Sequence, residues 1–520
     1  LETTTPASVP MTHRQILLVL SGLMLGLFLA ALDQTIVATA LPTIAGELGG
    51  LEQLSWVVTA YLLTSTASAP LYGKVSDMYG RKIVFQFAIV TFLLGSVLAG
   101  FSQSMVQLIG FRAIQGLGAG GLIVMTMTIV GDVLSPRQRG RYQGYIGAVF
   151  ALSSIAGPLL GGFFVDNLSW RWVFYINLPI GLAALFVTAT VLDLPFRRVD
   201  HPVDYLGAGL LVGGVSSLLL VTVWAGSEYA WGSPVIVGLS VLAAALLVLF
   251  ILQERRVAEP ILPLRLFRDR TFSITSGAAF IVGVGMFGAI VFLPLFLQVV
   301  MGASPTNSGL LLLPLMGGVV TSSIVTGRLI SRTGRYKVYP VVGIALMSLG
   351  LWLLSTMSPE TTLFRASIYM LGFGIGMGGV LQVLVIAVQN AVAARDLGVA
   401  TSSATFFRSL GGSFGTALFG AILTSQLVTR LAPLLPAGSS GDLQDLTGSP
   451  ELIGQLPPAI RGEVVEAFSH AITTAFTVAI PFLLLAFLLV IFLPELPLRD
   501  TAHVGAAEPE APLAPGPIGP

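Results

Sequence analysis

The glycine string Gly116-Leu-Gly-Ala-Gly-Gly121 recurs 258 residues later as Gly374-Ile-Gly-Met-Gly-Gly379, and each copy lies in the middle of a long apolar stretch. Both copies match the GxGxxG pattern of dinucleotide sites, but that pattern needs a preceding strand and a helix that begins at the glycines. Neither context is present. Glycines inside a membrane helix instead let neighbouring backbones approach closely. The repeat therefore indicates a duplicated chain whose two halves pack their helices in the same way.

The composition around this repeat is that of a membrane protein. Of the 520 residues, 54% are hydrophobic and 10% are charged, whereas a soluble domain carries about 25% charged residues. Apolar stretches of roughly 20 residues recur along the chain, and each is long enough to cross a hydrocarbon core of about 30 Å. The sequence predicts an all-α integral membrane protein and argues against a soluble enzyme.

Fourteen stretches are predicted to span the membrane. They cover residues 16–40, 54–73, 83–101, 106–131, 142–165, 172–192, 205–224, 234–253, 273–297, 307–329, 338–357, 362–389, 401–427 and 471–493. With a cytoplasmic N-terminus, this count places 20 of the 26 Lys and Arg residues inside and four outside, while Arg112 and Arg408 lie within spans. Such an excess of basic residues inside is expected of a correct topology. Both termini are therefore predicted to be cytoplasmic.

A second repeated string divides the spans into six, two and six. Residues Gly73 to Lys82 and Gly327 to Arg335 resemble each other, and each follows the second span of its half. The predicted segments are a cytoplasmic tail (1–15), an N-terminal six-helix bundle (16–192), a linker with two extra transmembrane helices (193–272), a C-terminal six-helix bundle (273–493) with an extracytoplasmic loop (428–470), and a disordered cytoplasmic tail (494–520). Parallel halves are typical of transporters in which one bundle rocks against the other.

Several motifs in the expected order carry a family resemblance. They are Leu32 to Pro42 in the first span, with Ala38 where asparagine is usual; Gly73 to Lys82; Arg112, Gln115, Gly116 and Gly118 in the fourth span; Gly144, Gly157, Pro158, Gly161 and Gly162 in the fifth, with Ser153 in place of another glycine; and Trp170 to Gly181. The chain resembles the major facilitator superfamily and, within it, the fourteen-span drug:proton antiporters typified by bacterial multidrug-resistance exporters. The resemblance implies two six-helix bundles plus two additional helices, and alternating access.

Asp33 is the one carboxylate placed well inside a predicted span. An aspartate at a helix centre costs roughly 2.5 to 3.5 kcal/mol on insertion scales, so such residues face a cavity, a partner or a proton path. We expect Asp33 to bind, alternately, the coupling proton or a cationic substrate. The alternative is a neutral acid whose hydrogen bonds are satisfied by the hydroxyls of Thr35 or Thr39.

Arg112 needs a partner or water, because arginine does not lose its proton in proteins. The resemblance implies that Arg112 and Gln115 serve proton coupling, with Arg112 controlling the protonation of Asp33. The alternative is a structural arginine hydrogen-bonded to backbone carbonyls.

Two further groups of residues take their expected roles from the resemblance. Gating of the cytoplasmic side is expected from Gly73, Asp77, Gly80 and Arg81, against the alternative that basic residues only anchor a short loop. The fifth-span residues Gly144, Gly157, Pro158, Gly161 and Gly162 are expected to bend that helix and pack it against the opposite half; a simple packing kink is the alternative.

Candidate substrate contacts follow from span position alone: Trp56, Tyr61, Phe150, Tyr175, Asn177, Gln298, Gln382, Gln389, Phe406 and Phe407. The four histidines have no metal-ligand spacing, and the net charge of +1 gives no reason to expect nucleic acid. We therefore expect no metal and no cofactor, with the proton gradient as energy source.

The expected function is proton-coupled export of hydrophobic or cationic amphipathic molecules across the bacterial cytoplasmic membrane. The expected partners are substrate, protons and membrane lipids, and the expected functional unit is a monomer. Two alternatives stay open. One is export of a single physiological substrate such as a lipid, siderophore or antibiotic, and the other is a membrane binding protein that transports nothing.

Overall fold

A computed structural model describes residues 13–48, 53–192, 204–226, 229–303, 305–431 and 458–499. These residues form long helices, and within them the only extended pairing is a single bridge between Ala225 and Tyr229. The all-α prediction is confirmed.

The N-terminal half contains seven helices that correspond to the six predicted spans. They are α1 (His13–Leu48), α2 (Leu54–Tyr79), α3 (Arg81–Gly100), α4 (Met105–Val133), α5 (Pro136–Asn167), α6 (Trp172–Tyr175) and α7 (Asn177–Val191). Hydroxyl side chains cap α4 and α5, because Ser104 and Ser135 accept hydrogen bonds from the Gln107 and Gln138 amides. The start of α5 at Pro136 lies six residues before the predicted start of the fifth span. The predicted sixth span is divided between α6 and α7.

The remaining helices follow the predicted order. They are α8 (Tyr205–Trp224), α9 (Pro234–Glu254), α10 (Arg270–Leu295) with a π-helical turn (Phe296–Val300), α11 (Pro305–Leu311), α12 (Leu313–Thr333), α13 (Val338–Ser355), α14 (Leu363–Ala391), α15 (Leu397–Leu431) and α16 (Pro458–Ile491). Thirteen helical segments of the described chain are long and apolar enough to cross a membrane. α2 is not among them, because it contains hydroxyl residues such as Ser65, Thr66 and Ser68, which lower its mean hydropathy. These three residues are buried.

The repeated glycine string performs the same packing in both halves. A Cβ at Gly116 or Gly120 would collide with backbone carbonyls of α2, and one at Gly118 would collide with α3. In the second copy, a Cβ at Gly374 would collide with the carbonyl of Leu315 on α12, and one at Gly376 would lie 2.6 Å from the carbonyl of Gly343 on α13. Glycines at alternate positions therefore let one helix pack closely against two neighbours, as the duplicated sequence indicates.

The two halves meet at the end of the bundle that carries most of the basic residues. Here α5 crosses α12 so closely that a Cβ at Gly327 would collide with the carbonyl of Gly140. Beside this crossing, the Ser331 hydroxyl donates to the carbonyl of Arg137 at 2.6 Å, and Arg137 Nε donates to the carbonyl of Ser331 at 2.9 Å. The second crossing joins α2 to α15, where Gly73 faces Gly398.

The two extra helices lie over the α2–α15 crossing. Leu211 and Leu219 of α8 and Phe250 of α9 share one apolar cluster with Ala67 of α2 and Ala400 of α15. Ion pairs extend this contact across both halves. Lys74 pairs with Glu259 of the linker at 2.6 Å, while Arg265 of the linker forms a bidentate pair with Asp396 at 2.7 and 2.8 Å.

Two predicted segment bounds are wrong. The extracytoplasmic loop does not fill 428–470, since α15 continues to Leu431 and α16 begins at Pro458. Proline is well tolerated at the first turn of a helix, so Pro458 starts a helix rather than preventing one; residues 432–457 lie outside the described residues.

The predicted disordered tail is ordered at its beginning. The Tyr336 hydroxyl donates to the carbonyl of Pro494 at 2.8 Å. Burial raises the pKa of Tyr336. Asn390 donates to the carbonyl of Pro497 at 3.1 Å and accepts from the Arg499 amide at 3.2 Å. The rest of the tail, 500–520, lies outside the described residues, as does most of the predicted N-terminal tail.

The α5–α12 crossing yields a prediction. Gly327→Val places a branched side chain against the Gly140 backbone, and overpacking of this kind costs about 1–3 kcal/mol. A cost of about 1.4 kcal/mol shifts the equilibrium between the closed and the separated α5–α12 crossing roughly tenfold towards separation. Cysteines at positions 137 and 331, in a chain that has none of its own, should then cross-link about tenfold more slowly. Gly317→Val is the matched control, because Gly317 of α12 has nothing within 4 Å of its Cβ position. Equal cross-linking in all three backgrounds would contradict the close approach.

Candidate functional site

Asp33 lies inside the N-terminal half with no exposed surface. Its carboxylate accepts from Arg112 Nη1 at 2.5 Å, from Gln115 Nε2 at 2.7 Å and from Asn177 Nδ2 at 2.9 Å. Donors on α4 and α7 therefore meet an acceptor on α1. All three contacts reach the carboxylate through N–H donors, which suits a group that only accepts hydrogen bonds when ionised.

The helix register of α4 puts both of its polar side chains on the same site. Arg112 and Gln115 are three residues apart and so share one face, and Arg112 Nη1 also donates to Gln115 Oε1 at 2.6 Å. Ser96 of α3 accepts from Gln115 at 2.6 Å and from Asn177 at 3.1 Å. Polar groups from four helices thus form one buried network.

Aromatic rings complete the surroundings of Arg112. The guanidinium lies 4.2 Å from the ring centroid of Tyr61 and 5.9 Å from that of Phe174, within the range of cation–π attraction. Its one backbone contact is long, with Arg112 Nε 3.4 Å from the carbonyl of Val57. The geometry thus favours the pairing with Asp33 over the alternative of an arginine held by backbone carbonyls.

The hydroxyls that the sequence analysis offered as alternative partners of Asp33 are used elsewhere. Thr35 donates to the carbonyls of Leu32 and Ser153, at 3.0 and 2.9 Å, and Thr39 donates to the carbonyl of Thr35 at 3.4 Å. In this conformation the counter-ion of Asp33 is Arg112, so Asp33 offers no free charge to a cationic substrate.

The predicted gating residues lie where α2 meets α15. Arg81 pairs with Asp77 at 2.5 Å and with Asp132 at 2.7 Å. Asp77 Oδ2 also accepts from the Val399 amide at 3.2 Å, near the N-terminus of α15, where the helix dipole favours negative charge. Gly80 has a φ of 94° and so permits the turn between α2 and α3. This cluster joins the two halves and contains Asp132, which the sequence analysis did not assign to it.

The fold and both clusters can now be compared with known proteins. The sequence pattern of the Major Facilitator Superfamily matches residues 23–204 and again residues 205–416. The chain belongs to the major facilitator superfamily.

Two relatives whose sequences are 40% or more identical to this chain are named as transporters. An uncharacterised major facilitator transporter of Mycobacterium tuberculosis strain H37Rv is 43% identical over 93% of this chain and 70% of its own length. The multidrug transporter protein MdtP of Bacillus subtilis strain 168 is 40% identical over 86% of both chains. Among solved structures, the proton:xylose symporter XylE matches with a TM-score of 0.62 over 95% of this chain and 99% of its own, at 14% identity, a level that shows the fold alone. The chain is a multi-pass membrane transporter with multidrug-efflux relatives, as its motifs predicted.

The fifth-span motif of this major facilitator protein contacts three neighbouring helices. Gly157 and Gly161 face α1 of the same half, where a Cβ at Gly161 would lie 2.9 Å from the carbonyl of Ile36. Gly144 faces Ile324 of α12 in the opposite half, and Pro158 lies near Gly309 of α11. Of this motif, only Gly144 and Pro158 lie against the opposite half, as predicted.

Gly162 differs from the other glycines of that motif. No atom lies within 4 Å of its Cβ position, so the structure gives it no close packing.

The ten candidate substrate residues do not form one site. Tyr61 and Asn177 belong to the Asp33 network. Gln389 joins the halves, accepting from Arg139 at 2.7 Å and donating to Thr401 at 2.9 Å. The other candidates are scattered over the molecule. Trp56 packs on Trp224, Tyr175 packs on Phe101, and Phe407 packs on both Phe406 and Phe267. Gln298 donates to Ser308, Gln382 is half-buried, and Phe150 is 38% exposed.

The Asp33–Arg112 pair yields a stability prediction. Arg112→Gln removes the counter-ion of a buried carboxylate, which costs about 3–5 kcal/mol. The double variant Asp33→Asn/Arg112→Gln should recover part of this loss and give a coupling free energy of about 1–3 kcal/mol. Thermal unfolding in detergent measures the cycle. Arg365→Gln, at an exposed position, should stay near the wild-type value, and strictly additive losses from the two substitutions would rule out direct pairing.

The α2–α15 cluster yields a second prediction. Asp77→Asn keeps an acceptor for the Val399 amide but removes the charge that binds Arg81 and the helix N-terminus, a loss of about 1–2 kcal/mol. A cysteine at the buried position 402 should then react with a water-soluble maleimide about tenfold faster. Asp166→Asn removes an exposed carboxylate and should leave the rate unchanged. Unchanged labelling in Asp77→Asn would show that the charge does not hold this crossing closed.

Proposed function

We propose that this transporter is a proton-driven antiporter that exports hydrophobic small molecules across the bacterial cytoplasmic membrane, with both termini in the cytoplasm and a monomer as the functional unit. The observation that carries the proposal is the buried Asp33–Arg112 pair at 2.5 Å. A buried charge pair of this kind is expensive for stability alone, and ionisable groups inside a membrane typically lie on proton or substrate pathways.

Protonation of Asp33 changes the network in a defined way. The neutral carboxyl no longer balances the charge of Arg112, which keeps Gln115 Oε1 at 2.6 Å and the face of Tyr61 as its nearest compensating groups. The contacts that join α1 to α4 and α7 are weakened by that step. Proton binding is thereby linked to the relative position of these helices, and release of the proton restores the pair.

The direction of opening follows from the crossings between the halves. They lie at the end of the bundle that carries Lys74, Arg81, Arg137 and Arg139, and an excess of basic residues supports a cytoplasmic position for that end. In this conformation the protein is closed towards the cytoplasm. Export requires the α5–α12 and α2–α15 crossings to open for substrate to enter.

The membrane potential can supply enough free energy to maintain a substrate gradient. One elementary charge moving across the membrane potential supplies about 2.3 kcal/mol per 100 mV, and at 1.4 kcal/mol per tenfold ratio this supports a gradient of more than tenfold. The relative named as a multidrug transporter supports drug molecules as substrates.

Transport in liposomes tests the proposal. With the cytoplasmic side of the protein facing outwards and the lumen acidified, the wild type should accumulate ethidium or another dye from a hydrophobic panel. Asp33→Asn should lose this pH-driven accumulation by tenfold or more, about 1.4 kcal/mol, because the coupling carboxyl is gone. It should still exchange dye across equilibrated membranes.

Asp166→Asn is the control for loss of a carboxylate at the surface, and it should accumulate dye as the wild type does. Accumulation at the wild-type rate by Asp33→Asn would show that Asp33 does not couple protons to transport. Failure of the wild type to accumulate any dye of the panel would contradict the proposed antiport of hydrophobic molecules.

A further inference from the structure

The C-terminal half has a membrane-embedded arginine of its own, Arg408 on α15. It lies eleven residues beyond Leu397, where α15 begins, and so about 16 Å along the helix, near the middle of a hydrocarbon core of about 30 Å. Within the described residues its guanidinium has neither a hydrogen bond nor an ion pair. In this it differs from Arg112, whose charge is balanced by Asp33.

The sequence around Arg408 contains no acid that could serve as its partner. The helices α10, α12, α13, α14 and α15 carry no aspartate or glutamate along their described lengths, and Glu463 and Glu466 lie near the start of α16. Asp396, before α15, is already held by Arg265. The described lengths of α10, α12, α13, α14 and α15 therefore offer Arg408 no counter-ion, and a bound anion could take that place.

Arg408 opens onto a cavity between three helices. The cavity is small, with about 10 Å³ of free space, and apart from Arg408 its walls are apolar: Ala279 and Val282 of α10, Leu381, Leu384 and Val385 of α14, and Ala404 of α15. One cation among aliphatic side chains matches a molecule that has an acidic group and an apolar body. Because this space holds about one water molecule, the acidic group can enter only when α10, α14 and α15 move apart.

We infer that Arg408 is the receptor for the acidic group of an amphipathic organic anion. The planar guanidinium binds a carboxylate, sulfonate or phosphate through paired charge-assisted hydrogen bonds, and the aliphatic walls contact the adjoining apolar atoms. An inorganic anion fits less well, because it would lose its water to one cation and gain only apolar contacts. The inference rests on the proposed transport function and specifies a substrate class for it.

Two arginines then have different roles in the two halves. Arg112 is balanced by a carboxylate of the chain, and that pair changes when a proton binds. Arg408 is balanced only when a ligand is bound. Substrate binding and proton binding are thereby located on different helices, with the proton site in the N-terminal half and the substrate site in the C-terminal half.

Binding to the purified full-length protein tests the inference. The probes are 2-naphthylacetate and its uncharged isostere 2-naphthylacetamide, together with the corresponding naphthyl sulfonate and phosphate. The wild type should bind at least one acid tenfold or more tightly than the amide. Arg408→Gln should abolish this preference and leave amide binding unchanged, whereas Arg408→Lys should keep part of it.

Arg430→Gln removes an exposed arginine from the same helix and should leave the preference intact. Thermal unfolding should show that Arg408→Gln is folded, and equal loss of acid and amide binding in that variant would mean a structural role and overturn the inference. So would a wild type without any preference for the acids, or full competition by chloride or sulfate at matched ionic strength.

Transport separates this inference from the proposed function. If both hold, Arg408→Gln still accumulates ethidium with the pH gradient but loses export of the naphthyl acid. A wild type that prefers the acid yet shows no pH-driven transport supports the Arg408 site and contradicts proton antiport. A wild type with pH-driven ethidium transport and no acid preference contradicts the Arg408 site alone.

Discussion

A charge that is buried in a membrane must have a partner, and the N-terminal half satisfies this requirement within the chain. Asp33 and Arg112 are both almost completely buried, and each compensates the charge of the other. The pair also determines what surrounds it. Gln115 and Asn177 complete the hydrogen bonds of the carboxylate, and Ser96 accepts a hydrogen bond from each of them. Tyr61 covers the guanidinium. A change in the charge of the Asp33 carboxyl group therefore affects contacts of helices α1, α3, α4 and α7.

The duplicated halves share a packing scheme but not a chemistry. Gly95 of α3 approaches Gln115 in the first half, and Gly350 of α13 approaches Phe373 at the corresponding place in the second. The glycines repeat while the polar residue is replaced by a fully buried aromatic one. The second half therefore preserves the geometry of the first without its buried charge pair, and its own embedded charge, Arg408, lies on a different helix.

The sequence predicted the helices well, because length, hydropathy and the distribution of basic residues determine how a chain crosses a membrane. It also identified Asp33, Arg112 and Gln115, since polar groups are conspicuous in apolar spans. It did not identify Ser96 as part of the site, because a serine in a membrane helix usually bonds to its own backbone and gives no distinct signal. Asn177 was assigned to substrate, as span position does not reveal which way a side chain points. The bounds of the loop after α15 were wrong because proline near a helix start and proline in a loop look alike in sequence.

The ion pairs and hydrogen bonds at the end of the bundle that carries most of the basic residues connect the two halves, so a change at one contact can affect distant ones. Arg81 joins Asp77 to Asp132 within the N-terminal half, and Asp77 contacts the first turn of α15 in the other half. The linker adds Lys74–Glu259 and Arg265–Asp396 over the same crossing. Separation of the two halves at this end must break or rearrange these contacts together, so the two halves are expected to move as units.

The central claim is that Asp33 alternates between a carboxylate paired with Arg112 and a protonated acid. Infrared difference spectroscopy of the purified protein, between mildly alkaline and acidic solution, observes this directly through the C=O stretch of a protonated carboxyl group. The account predicts a band from a buried carboxyl group that appears on acidification and is missing in Asp33→Asn. The same band in Asp33→Asn, or no band assignable to Asp33 in the wild type, would contradict it.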